Sequence, residues 1–230
     1  MLNVRNIVKE YLMEIDLLEI IPDAIIKNLL TDITELDQFY NSSVSRYDKD
    51  YEELTRITND IILSNKSSLD TIRDGDLNNL IKLNENFRIY TRSKNTRSHL
   101  LIVGTYMVTE KSIKEFFSMP DRFTNPELRS LFEIRKVEIL IKDKFGVNIR
   151  DLNNYNQMNE LRCLNNCIKH TGYPDTELIA INPERWKAKE EIENVYQDFI
   201  RLRYKTVDFC LDLFRTVKEK IREKENENPK

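Results

Sequence analysis

From Ala24 to Ser64, apolar and aromatic residues fall three or four apart without interruption: Ile26, Leu29, Ile33, Leu36, Tyr40, Val44, Tyr47, Tyr51, Leu54, Ile57 and Ile61. That is the period of an α-helix and not of a strand. The spacing predicts one long helix, of a length that suits a coiled-coil arm as well as a globular element. Asn41-Ser42-Ser43 is the one place where a break is expected, because a serine there would cap a second piece. Only four glycines and six prolines punctuate the 230 residues. So little turn chemistry favours few, long elements over a many-stranded sheet. The expected class is all-α, a helical bundle of about six or seven helices with one or two long ones.

The remaining segments follow the same period. Val4 to Glu19 predicts a short first helix, with Pro22-Asp23 restarting the chain after it. Ser67 to Asp76 is polar and reads as a loop or short helix. A helix is expected from Leu77 to Ile89, and a separate central one from Lys94 to Ser118, stopped by Pro120. Asn125-Pro126-Glu127 is a start signal for a helix that runs to Phe145, where Gly146 ends it. Val147 to Tyr155 is a linker. Leu178-Ile179-Ala180-Ile181 reads as a short extended piece. Asn182-Pro183-Glu184 repeats the start signal and is expected to open the last long helix, through Val195, Leu202, Leu213 and Ile221, with Trp186 as a packing anchor. The expected division is a helical arm or hairpin over 1–66, a bundle over 77–226 and a charged tail over 227–230, or else one domain over 1–226.

Charged residues make up 33% of the chain, yet the net charge is only −3. No global basic field draws nucleic acid, but screening leaves room for a local basic cleft. Three cysteines fit a reducing compartment. No signal-peptide pattern opens the chain, and no apolar run approaches the roughly 18 residues of a membrane span. A cytoplasmic protein is expected, with no membrane partner. No phosphate-binding glycine loop, nucleophile elbow or metal-spaced His/Glu pair is present, so no cofactor is expected.

The chemistry-bearing stretch is Asn159 to His170. Leu161, Leu164 and Ile168 make an apolar stripe at helical spacing. Arg162, Asn166 and His170 recur every four residues and stack on another face. A guanidinium suits a phosphate, an amide can orient it, and an imidazole can move a proton near neutral pH. Lys169 stands beside them.

Asn166 and His170, three residues between them, in a late helix before a glycine turn and one more long helix, resemble the motif of the HEPN superfamily. In that family an Arg and a polar residue precede three variable residues and a His. Many members are metal-independent endoribonucleases, often dimeric, of bacterial defence and toxin systems. The resemblance covers about residues 95–220. It implies an all-α fold, RNA as substrate, a homodimer or helical protein partner, and Arg162, Asn166 and His170 as catalytic residues. The chain departs from the motif at one point. Asn165 stands where the Arg belongs, so the cation must come from Arg162, one turn earlier, or from Lys169. Two copies face to face would supply two histidines.

Other expectations stand beside this one. The stripe is also an ordinary polar helix surface, with Arg162 and Asn166 bonded across the bundle to Glu110, whose carboxylate would be costly unpaired. That leads to a non-catalytic HEPN-like module for protein interaction or dimerisation. A regulatory nucleotide-binding domain is a third possibility. Arg92 and Arg97, with Arg88, Lys94 and Tyr90, form a basic and aromatic patch suited to RNA contact. His99 beside them is a second candidate for proton transfer.

Overall fold

The computed structural model describes residues 17–65, 74–118 and 134–227. These residues are helical without any strand. The elements are α1 (Leu17–Asn65), α2 (Asp74–Phe117), α3 (Ile134–Phe145), a 3-10 turn (Ile149–Asp151), α4 (Tyr155–His170), α5 (Thr176–Ile181) and α6 (Tyr196–Glu227). The expected all-α bundle is what the chain forms. The expected helix over 4–19 and the expected loop or short helix over 67–76 lie largely outside the described residues, and the Asn125-Pro126 start signal lies wholly outside them.

α1 is one continuous helix of 49 residues. Asn41-Ser42-Ser43 does not break it. The Ser42 and Ser43 hydroxyls bond back to the carbonyls of Phe39 and Tyr40, so they are satisfied without capping anything. Pro22 does not restart the chain either; it lies inside α1 with its ring buried. A proline withholds one backbone donor, and a buried ring offsets that loss with apolar contact.

α2 is likewise a single helix of 44 residues, where two were expected. It returns antiparallel along α1. Leu36 touches Gly104, the carbonyl of Ser43 takes the Arg97 guanidinium, and Tyr51 stacks on Tyr90. Each step up one helix is a step down the other. The polar stretch 88–97 stays helical because α1 offers it polar partners.

The core sits where α2, α3, α4 and α6 meet. Phe116 stacks on Phe214 at 4.2 Å, and Phe117 packs between Phe116 and Phe145. Gly146 closes α3 at φ 70°, a conformation that only glycine enters freely. α1 joins this core through Tyr40, stacked on Tyr196 at 4.5 Å, and through the Asp37–Arg203 ion pair.

Three late expectations are corrected. Leu178 to Ile181 is helical, not extended, because the Asp175 carboxylate caps α5 by accepting from the Leu178 amide at 2.8 Å. The last helix opens at Tyr196, not at Asn182. Asn182 starts a single turn, with its carbonyl accepting from the Trp186 amide at 2.9 Å. Lys189 and Asn194 then take positive φ values of 67° and 52°, which a helix cannot contain. The tail expected from 227 begins as helix, since α6 runs through Glu227.

Candidate functional site

The motif helix α4 is anchored by Met158, Leu161, Leu164 and Cys167, all buried. The stripe of interest runs beside that buried face. Arg162 is half-buried and engaged through Nε and Nη2. Its guanidinium donates to Asn159 Oδ1 from Nε at 2.9 Å and from Nη2 at 2.8 Å, and it forms an ion pair with Glu177 of α5. Cys163 Sγ lies 3.1 Å from the same Nη2.

One turn on, Asn166 is half-buried and its Oδ1 accepts from Asn165 Nδ2 at 3.2 Å. Asn165 itself is 1% exposed, and its own Oδ1 has no hydrogen-bond partner. Lys169 and His170 are exposed at the helix end, where cations meet the negative end of the helix dipole. The three residues of the stripe therefore differ in circumstance: Arg162 is held by α5, Asn166 is held by its neighbour, and His170 faces solvent.

Glu110 does not reach the stripe. It pairs one turn along its own helix with Lys114 Nζ at 3.1 Å. Tyr106 sits between the two sets of charges. Burial pushes its phenol up to about 12, Glu110 adds to the rise, and Arg162 opposes it. Burial likewise pushes the Cys163 thiol up to about 12 against the pull of Arg162, and it raises Cys167 and Cys210. All three thiols are buried and free, and none has the low pKa of a nucleophile. Among the described residues, no group of three or more His, Cys, Asp or Glu stands close enough to hold a metal ion. No helix among them is long and apolar enough to cross a membrane.

The RNA-contact candidates divide. Arg92 is exposed on α2, whereas Arg97 is half-buried and spends Nη1 on the Ser43 carbonyl at 3.1 Å. Lys94 and Tyr90 turn toward α1, where the Tyr90 hydroxyl donates to Asp48 and Lys94 Nζ lies 3.9 Å from the same carboxylate. His99 Nε2 lies 2.8 Å from the Ile192 carbonyl, and a carbonyl only accepts, so Nε2 carries the proton. The Ile192 amide donates to Gly172 in the turn after α4 at 2.8 Å. One residue thus ties His99 to the turn that begins just beyond His170.

The strongest polar constellation went unread in the sequence. Glu160, on the buried face of α4, is 3% exposed. It accepts both guanidinium arms of Arg201 at 2.8 and 2.7 Å, the Trp186 indole at 2.8 Å and the Asn182 amide at 3.1 Å. Arg201 also reaches Asp198, which holds Arg185, which lies over the Trp186 ring. The available signal was Glu160 at helical spacing from Leu164 and Cys167 on the apolar face, where a carboxylate requires partners. This network ties α4 to α6 and to the 182–186 turn.

No protein-family profile, no curated protein and no solved structure matches this chain.

Proposed function

We propose that this chain is a HEPN-like helical module that works by binding a second copy of itself or a helical protein partner, not by cutting RNA. The observation that carries this reading is the absence of a presented guanidinium on the motif stripe. The family's Arg position holds Asn165, buried in α4. Of the two substitutes, Arg162 is ion-paired with Glu177 in a half-buried setting, and Lys169 is exposed but brings a point charge without the guanidinium fork. A scissile phosphate approaching Arg162 would meet the Glu177 carboxylate first. Freeing the cation means breaking that pair, a cost on the order of 1–3 kcal/mol for a charge-assisted bond. The docking surface is on α2, where Ile89, Leu100 and Met107 are 64%, 57% and 56% exposed.

Sedimentation of the full chain across a wide concentration range tests this reading. A reversible dimer, or capture of one stoichiometric protein partner, is expected. A monodisperse monomer with no partner in a pull-down counts against it.

A second reading, a metal-independent endoribonuclease, has one observation in its favour. Lys169 and His170 are exposed, and His99 is tied through Ile192 to the adjoining turn. RNA cleavage in chelator by the wild type, abolished in His170→Ala, would establish it. Equal cleavage by both proteins would remove His170 from any mechanism.

A further inference from the structure

A cavity of about 500 Å³ opens between α1, α2 and the 193–194 segment. Its walls are aromatic. Tyr51 and Tyr90 stack at 4.8 Å, and Phe87 leans on Tyr51 at 5.4 Å. Its charges are three carboxylates, Asp48, Glu52 and Glu193, against the single ammonium of Lys94. Aromatic faces carry negative quadrupole density and attract cations that give up their water. Carboxylates at the rim add Coulomb attraction, and together they repel phosphate.

The protein already places one cation there. Lys94 Nζ lies 5.8 Å from the Tyr90 ring centroid and 3.9 Å from Asp48. Asp48 is occupied by that ammonium and by the Tyr90 hydroxyl. Glu52 and Glu193 form no ion pair among the described residues, so their charge is unspent. The volume falls in the range of small-molecule pockets.

We propose that this cavity binds a small organic cation, an alkylated ammonium or a polyamine, seated against Tyr51, Phe87 and Tyr90 and neutralised by Glu52 and Glu193. The site is independent of the HEPN-like reading, since no motif residue lines it. Because its walls come from α1, α2 and the segment leading into α6, the bound cation clamps the long hairpin to the bundle.

Calorimetric titration of the full chain tests this with choline, with spermidine, and with 3,3-dimethyl-1-butanol, the neutral carbon isostere of choline. Saturable binding of at least one cation is expected below roughly 10 mM, with the neutral isostere about tenfold weaker or worse. Choline alone binding identifies a quaternary ammonium site; spermidine alone identifies a polyamine site. Glu52→Gln with Glu193→Gln should weaken the cation about tenfold. Both side chains are exposed, so circular dichroism should not change. Lys94→Gln should tighten binding by removing the resident cation. The proposal is overturned by no saturable heat from either cation, by equal binding of the neutral isostere, by indifference to the double substitution, or by a mononucleotide binding more tightly than both cations.

Discussion

Glu160 shows how much one buried carboxylate can organise. Burial alone would raise its pKa; the hydrogen bonds from Arg201, Trp186 and Asn182 outweigh burial and hold the carboxyl below the ordinary value of 4.5. The unfolded chain therefore takes up this proton first as the pH falls. The contribution to stability is whole above pH 4.5 and is lost as pH drops through the lower value of the folded state. Denaturant midpoints measured between about pH 6 and pH 3 should fall more steeply in the wild type than in Glu160→Gln. Identical slopes would show that the carboxylate's charge is unimportant. Glu160→Ala leaves Arg201 and the Trp186 indole without their acceptor and should cost about 3 kcal/mol, the low end for a broken buried pair because Arg201 is 41% exposed and can rehydrate. The same residue marks a limit of reading by pattern. A helical stripe analysis sorts side chains into apolar and polar faces, and a charged residue on the apolar face is passed over until its partners, 26 and 41 residues away, are known.

At the scale of the element, α4 was legible almost to its ends because its apolar residues alternate cleanly with polar ones and Gly172 closes it. α5 was not. Leu178-Ile179-Ala180-Ile181 has no polar face of its own, so period alone cannot tell a buried helix from a strand. The deciding signal lies just upstream, in Asp175 as the cap and Glu177 in the first turn. A helix of six residues has no independent stability and depends on that cap and on packing against α4. Asp175→Ala should cost about 1 kcal/mol. It should also speed amide exchange at Leu178, the donor to the cap, while the amides of α6 keep their protection. Uniform loss of protection across the molecule would mean that α5 does not open on its own. The motif stripe was legible as a row of residue types, but its fate was not. That Glu177 would claim Arg162 depends on where α5 docks, and no spacing within α4 encodes it.

The whole molecule turns on the α1–α2 hairpin, whose length leaves surface that the bundle does not cover. The two helices were legible in unequal measure. α1 repeats its apolar residues without a gap, whereas α2 passes through a polar stretch that looks like a break until Asp48 and the Ser43 carbonyl of α1 are seen beside it. On the side of α2 turned away from the core, about a quarter-turn from the α1 contact, Ile89, Leu100 and Met107 are separated by 11 and 7 residues. At 3.6 residues per turn they fall within about 20° of one another and extend along about 27 Å of the helix. A row of three large, exposed apolar side chains is more than scattered surface hydrophobicity, and burying it against a second copy removes it from water. Leu100→Glu with Met107→Glu places two like charges in that row. The substitutions lie outside the core, so helicity should stay near wild type. The sedimentation coefficient should instead fall from the dimer's value to the monomer's at every concentration tested. If the variant sediments as the wild type does, the α2 row is not the contact surface, and association has to be sought elsewhere on the hairpin, beginning with the exposed Phe39 of α1.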